Sequence, residues 1–247
     1  MRFTPTSFLG QTTSGLVLSG GLSGSYTSGG INYEFQKFTS NGELVVGRNV
    51  DVEMLIVGGG AAGDRTGGGG GGVNYTSTRL YKGNYTVTVA AASSTNGYSS
   101  SIANSGFNYV AYGGAFTGSS GTPTSFAPGA NTNCGGSDLP GGGAGGASQT
   151  GSNATCTPSA TGGNGGQGLT YNLDGTASVY GSGGGGRGRA TPGGFASGGS
   201  GGTNAGNGGS FVAFATSGIN GYGAGGGGAY SAPGSGSSGI IILRYII

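Results

Sequence analysis

Runs of glycine are the feature that most constrains the fold of this chain. Glycine supplies 66 of the 247 residues, while Lys and Arg together supply nine and Asp and Glu seven. Each glycine opposes an α-helix by about 1 kcal/mol relative to alanine. Such a composition often indicates disorder, because an ordered glycine loses the most backbone entropy. Here, however, 13 tyrosines, 10 phenylalanines and several apolar blocks interrupt the glycines. We therefore expect an ordered chain that is mainly β, with almost no α-helix.

The glycines are gathered into clusters that recur after residue 57. They lie at residues 58–63, 67–72, 141–146, 162–168, 183–188, 198–202 and 223–228. Two of them repeat the triplet Gly-Gly-X, and a period of three is that of a polyproline-type helix. Two bare edges in each turn let such helices approach closely and form hydrogen bonds with one another. The pattern predicts a bundle of glycine-rich polyglycine II helices; the alternative is flexible loops between strands.

Apolar and alternating blocks before and after the glycine clusters predict β-strands. They lie at residues 33–38, 44–46, 50–57, 85–89, 107–112 and 240–247. Residues 85–89 alternate with a period of two, and residues 240–247 form an apolar run that is interrupted by Arg244. This run is too short to span a bilayer and is typical of a buried strand. We expect these two segments to be neighbouring buried strands that close the glycine-rich region.

Residues 1–30 differ from the rest, with Ser, Thr and Gly punctuated by single apolar residues. This composition predicts that residues 1–30 form an extended arm for attachment or oligomerisation. One glycine-rich β domain is expected to follow at residues 31–247. The N-terminus lacks the apolar run of a signal peptide, so ordinary secretion is not indicated and release by cell lysis is expected.

The composition argues against an enzyme, a metal site and a nucleic-acid-binding protein. The chain has no histidine, which removes the commonest general base and metal ligand. Cys134 and Cys156 are too few for a zinc site, and they either form one disulfide or remain free. Arg187 and Arg189 are the only close basic pair, so no basic stripe faces a run of phosphates. We expect no catalytic residue, no cofactor and no nucleic-acid partner.

One motif imitates a dinucleotide-binding site. Residues 58–63 read Gly-Gly-Gly-Ala-Ala-Gly directly after an apolar strand, which matches Gly-x-Gly-x-x-Gly. That site requires a helix to begin at the turn, so that its amides face the pyrophosphate. Here Asp64-Arg65-Thr66 and six further glycines follow, and they cannot sustain a helix. We therefore reject cofactor binding.

The blocks at residues 33–38, 52–60, 83–89 and 239–245, in this order around glycine runs, resemble the glycine-rich domain family of phage tail-fibre and other virion proteins. The resemblance covers residues 31–247. It implies a β-sandwich-like frame joined to packed polyglycine II helices, with receptor binding by the loops between those helices.

Aromatic and polar residues between the glycine clusters are the candidate binding residues: Tyr171, Asn172, Asp174, Tyr180, Phe195 and Tyr222. Tyr171 and Tyr180 lie in a segment with little apolar material and are expected to be exposed, where their rings would stack on a sugar or seat in a protein groove. The alternative is that Tyr171 and Tyr180 cover glycine backbone. Phe211 and Phe214 are interpreted as structural.

The sequence thus favours a non-enzymatic virion protein: a phage tail fibre or fibre-tip adhesin that binds a host cell-surface glycan or outer-membrane protein. The expected partners are other virion or tail proteins and further copies of the chain in a homo-oligomer. The alternative is a purely structural virion component, such as a capsid decoration protein or a fibre shaft.

Overall fold

The computed structural model describes residues 17–116, 140–156, 160–191, 194–210 and 213–247, with the backbone alone for residues 190, 191, 194 and 195. These residues form strands and extended segments without any α-helix, and none of their segments is a helix that could span a membrane. The strands are β1 (Leu18–Ser19), β2 (Leu22–Ser28), β3 (Ile31–Phe38), β4 (Gly42–Val46), β5 (Val50–Val57), β6 (Val73–Leu80), β7 (Gly83–Thr88), β8 (Ser100–Asn104), β9 (Phe107–Ala111), β10 (Leu169–Tyr171), β11 (Ser178–Tyr180), β12 (Ala190–Thr191), β13 (Gly194–Phe195) and β14 (Ile240–Ile246). The expectation of a mainly β chain is confirmed.

Two five-stranded antiparallel sheets form a sandwich. The first sheet has the order β1-β4-β7-β8-β9 and the second the order β2-β3-β14-β5-β6. Alternate residues of facing strands point into one apolar core, in which Met54 and Ile241 of the second sheet join Leu44, Val87 and Ile102 of the first. The period-two pattern of these strands therefore produces the sandwich, because only one of their two faces enters this core.

The two segments that we expected to be neighbouring strands belong to different sheets. β7 pairs with β4 and β8, whereas β14 pairs with β3 and β5. Val87 and Ile241 belong to the same core cluster, so the two strands contribute to one core from opposite sheets. The expectation that both are buried strands is confirmed, and the expectation that they are neighbours in a sheet is wrong. An alternating pattern shows which face of a strand is buried but not which strand it pairs with.

The second half of the predicted arm lies within the sandwich. β1 pairs with β4 in the first sheet, and β2 pairs with β3 in the second along all seven of its residues. Gly20 and Gly21, with φ angles of 119° and 65°, make the turn that carries the chain from one sheet to the other. Residues 1–16 lie outside the described residues, and a role of the arm in attachment or oligomerisation stays a prediction.

The glycine clusters form a bundle of extended helices, which we call the polyglycine bundle. It comprises residues 58–63, 67–72, 141–147, 162–168, 181–189, 196–202, 205–209, 223–229 and 234–239. In residues 58–63 every third N–H group donates to the same neighbouring segment. The six bonds run from Gly58 to Gly72, from Ala61 to Gly69, from Gly59 to Tyr98, from Ala62 to Thr95, from Gly60 to Ser237 and from Gly63 to Gly234. This rotation among three neighbours is the three-residue period of the polyproline-type helix.

The core of the bundle is made of backbone, which explains why its positions are glycine. A Cβ atom added to Gly67 would overlap the carbonyl oxygen of Gly184, and one added to Gly225 would overlap that of Gly68. The hydrogen bonds between helices offset the entropy that the glycines lose on ordering. The glycines of the dinucleotide-like motif at residues 58–63 serve the same purpose, since they continue β5 into a polyglycine helix.

Polar side chains close part of the rim of the bundle. Asn164 and Gln167, three residues apart in one helix, accept hydrogen bonds from the N–H groups of Ser200 and Thr203 in the next, at 2.9 and 3.1 Å. The X positions of Gly-Gly-X thus satisfy backbone donors at the rim of the bundle.

Candidate binding site

The hairpin of β10 and β11 brings most of the predicted binding residues together. Its two strands pair from Leu169 opposite Tyr180 to Tyr171 opposite Ser178. Leu173 and Tyr180 insert into a second apolar cluster, where they meet Leu55 and Ile242 on the outer face of the second sheet. The hairpin therefore covers part of that face and joins the polyglycine bundle to the sandwich.

Three contacts anchor the tip of the hairpin to the second sheet. Asp174 Oδ2 lies 2.8 Å from Lys37 Nζ. The hydroxyl of Tyr26 donates to the carbonyl oxygen of Asn172 at 3.1 Å. The ring of Tyr171 stacks on that of Tyr75, with 5.0 Å between centroids and 26° between planes. Because these contacts occupy Tyr171 and Asp174, both residues hold the hairpin in place.

The expectation that Tyr180 is exposed is wrong, since its side chain is only 2% exposed. Its ring lies 5.7 Å from that of Tyr222, which is half-buried. Burial, with a smaller contribution from the negative charge of Asp174, raises the pKa of Tyr180 to about 12. Burial also raises the pKa of Tyr171, which is half-buried. The burial could not be predicted from the local sequence, because the strands that cover Tyr180 lie 60 or more residues away along the chain.

Asn172 is exposed at the tip of the hairpin, and Phe195 lies elsewhere. The backbone of Phe195 pairs with Ala190 in the small sheet of β12 and β13, and its side chain is outside the described part. At about 3.1 Å per residue, the helix at residues 181–189 separates Ala190 from Tyr180 by roughly 30 Å. The structure thus brings together five of the six predicted residues and leaves Phe195 at the other end of the bundle.

Beside the hairpin, Arg244 is held by a network that sequence reasoning missed. Its Nε and Nη2 atoms donate to Glu53 Oε2 at 2.8 and 2.5 Å, and its Nη1 atom donates to the Tyr26 hydroxyl at 2.5 Å. The guanidinium also lies 4.6 Å from the centroid of the Tyr33 ring, as in a cation–π contact. The signal was a single charge in the otherwise apolar run at residues 240–247, because a charge within a buried strand is usually paired.

The turns at the end of the bundle far from the hairpin form the second surface, which we call the far end. Asp64 and Arg65 are exposed there, and the carbonyl oxygen of Asp64 accepts a hydrogen bond from Ala229. Tyr230, the next residue, is 66% exposed and lies over the guanidinium of the buried Arg187, 5.5 Å away. Phe214 is 75% exposed, so its interpretation as a structural residue is wrong. Phe211 lies outside the described residues.

Among the residues that the structure describes, neither surface contains a metal centre. Within the described ranges, no three carboxylate or cysteine side chains lie close enough together to hold a metal ion. Cys156 is disulfide-bonded, whereas Cys134 lies outside the described residues. Both surfaces instead offer tyrosine rings, arginines and carboxylates on a rigid frame, which suits binding.

A family model described as a glycine-rich domain matches residues 38–246 of the chain. The comparison with curated proteins and the comparison with solved structures found no match.

Proposed function

The chain belongs to the glycine-rich domain family, and from this premise we propose that it is a non-enzymatic structural protein of a virion, a phage tail fibre or fibre-tip adhesin. It is part of the virion surface, on the tail or the capsid, and is released by host lysis. It is joined to other virion or tail proteins and to further copies of the chain, and it binds a host cell-surface glycan or outer-membrane protein. The finer assignment to a phage is supported by the resemblance of the framing blocks.

The far end is the observation that carries this proposal. Large aromatic side chains are normally buried, yet Phe214 and Tyr230 project from the turns of a bundle that otherwise contributes mostly backbone. Because the hydrogen bonds between helices hold the turns, a receptor would meet preordered side chains and lose little entropy on binding. Arg65 adds an exposed charged group in the turn whose Asp64 carbonyl oxygen accepts a hydrogen bond from Ala229, the residue before Tyr230. Aromatic and arginine side chains commonly dominate the binding energy of such surfaces.

The purely structural alternative has one observation in its favour. In the described part of the chain, β2 pairs with β3 alone, so its other edge is open. Leu22 on this strand is 65% exposed, and Ile31 at the start of β3 is 42% exposed. An open strand edge with apolar neighbours is a common site of self-association. This edge would serve a fibre shaft or a capsid decoration protein.

Binding of the labelled protein to a panel of bacterial strains tests the adhesin proposal. We expect the protein to bind some strains, and we expect Phe214→Ser with Tyr230→Ser to abolish this binding without changing the melting temperature. Tyr81→Ser with Tyr98→Ser is the matched control, since these two tyrosines are also exposed but lie away from the far end. Failure to bind any strain, or equal binding by both double variants, would contradict the proposal.

Electron microscopy of intact particles separates the two candidates. A labelled antibody against this protein is expected to mark the tip of a tail fibre. Regular labelling of the capsid or along a shaft would support the structural alternative instead.

A further inference from the structure

A groove on the outer face of the second sheet remains open beyond the hairpin. It has a volume of about 400 Å³ and is lined by Arg244 and Ile246 of β14 and by Ser77 and Arg79 of β6. Asp51 and Glu53 of β5, the strand between them, form its floor, since Asp51 lies opposite Arg79 and Glu53 opposite Ser77 in the sheet. The volume lies in the range of small-molecule sites.

We propose that this groove is a binding site for a neutral saccharide. It lies on the sandwich, away from the far end of the bundle, and so it does not depend on the attachment surface described above.

The polar groups of the groove are fixed in advance. Arg244 is held by Glu53, by the Tyr26 hydroxyl and by the ring of Tyr33. A guanidinium has five N–H groups, of which three donate to Glu53 and Tyr26, so two remain for a ligand. The Glu53 carboxylate supplies acceptor oxygens, and the exposed Ser77 adds a hydroxyl that donates and accepts. A ligand with adjacent hydroxyl groups would meet donors and acceptors that need little further ordering.

The charges of the groove favour a neutral ligand. Arg244 is paired with Glu53 at 2.5 Å, and Arg79 lies 3.6 Å from Asp51. The two positive and two negative groups balance. A phosphate or carboxylate would have to compete with Glu53 for Arg244, and a cation would have to compete with Arg244 for Glu53. A sugar hydroxyl can instead bridge such a pair without separating its charges.

The groove also supplies the apolar contact that a sugar ring needs. Ile246 is 65% exposed at the wall of the groove, and Tyr33 is half-buried beside it. The C–H face of a pyranose would lie against such a surface while its hydroxyls face Arg244, Glu53 and Ser77. This combination of one apolar wall and a few fixed polar groups is typical of small-molecule sites.

The test uses the full chain and a printed panel of neutral and acidic oligosaccharides, followed by calorimetry with the neutral saccharide that binds most tightly. We expect selective binding of neutral saccharides. Ser77→Trp, which fills the groove and keeps both members of the Arg244–Glu53 pair in the chain, should lower the affinity by about tenfold or more. Thr86→Trp is the matched control, because Thr86 is also an exposed hydroxyl residue in a strand but belongs to the first sheet.

A second variant tests the polar recognition directly. Glu53→Gln keeps the shape of the side chain but replaces a charged acceptor, and we expect weaker saccharide binding in protein that remains folded by circular dichroism. The proposal is overturned if no neutral saccharide binds, if acidic ones bind better, or if Ser77→Trp binds as the unaltered protein does. These outcomes leave the attachment proposal untouched, since its variants lie at the far end.

Discussion

The Nζ atom of Lys37 lies 2.8 Å from Oδ2 of Asp174, and this ion pair joins strand β3 of the sandwich to the tip of the hairpin 137 residues later. The side chain of Asp174 is only 9% exposed and that of Lys37 27%. The pair lies where the hairpin meets the second sheet, next to the hydrogen bond from the Tyr26 hydroxyl to the carbonyl oxygen of Asn172.

Removing the lysine should therefore destabilise the protein. Lys37→Met leaves the nearly buried Asp174 carboxylate without this partner, and we expect a loss of about 1–3 kcal/mol in the free energy of unfolding. Arg79→Met is the control, because its pair with Asp51 is exposed and should contribute less than about 1 kcal/mol. Urea unfolding at neutral pH measures the loss in both variants. Equal losses would show that the Lys37–Asp174 pair stabilises the protein no more than an exposed ion pair does.

A methyl group in the polyglycine bundle should be far more damaging than one at a surface turn. Gly225→Ala places a Cβ atom against the carbonyl oxygen of Gly68, and we expect a loss of about 3 kcal/mol or more, or failure to fold. Gly106→Ala meets open space and should change stability by less than about 1 kcal/mol. Thermal unfolding of the two variants is the measurement. Similar melting temperatures would contradict the close packing of the helices.

The rim of the bundle gives a prediction at single-residue resolution. Asn164→Ala with Gln167→Ala removes the acceptors for the N–H groups of Ser200 and Thr203, at a cost of about 1 kcal/mol for each bond. We expect faster hydrogen exchange at these two amides. Substitution of the exposed Asn108 on β9 by Ala is the control and should leave both exchange rates unchanged. Unaltered exchange in the double variant would mean that the side chains do not protect the rim.

Because Tyr180 is buried, we expect the protein to lose stability at high pH. Its pKa is raised from 10.0 in the unfolded chain to about 12 in the folded protein, mainly by burial. The protonated form is therefore favoured by folding, so its contribution is fully present below pH 10 and is lost as the pH rises through about 12. Denaturant unfolding between pH 9 and pH 12 should show a smaller decline for Tyr180→Phe than for the unaltered protein. Parallel declines would argue against the burial of this hydroxyl.

The periodicity of the sequence determined where this protein forms β-strands and where it forms polyglycine helices. Alternation at residues 85–89 and the apolar run at residues 240–247 were sufficient to identify β7 and β14, because a strand exposes each face at every second residue. The triplets at residues 162–167 were sufficient to indicate polyglycine helices, because only glycine allows backbones to meet at two edges of every turn. Both properties depend on neighbours in the chain.

Only the tertiary structure decided which residues that are distant in the sequence come into contact. The buried Tyr180 and the exposed Tyr230 both lie next to a glycine cluster, Tyr180 before residues 183–188 and Tyr230 after residues 223–228, so this position in the sequence does not predict burial. Tyr180 is buried because the hairpin lies on Leu55 and Ile242, and Arg244 has its partners because β2 and β5 place Tyr26 and Glu53 beside it. A periodic pattern gives the direction of a side chain relative to its own strand, whereas its burial and its pairing depend on which strand comes to lie against it.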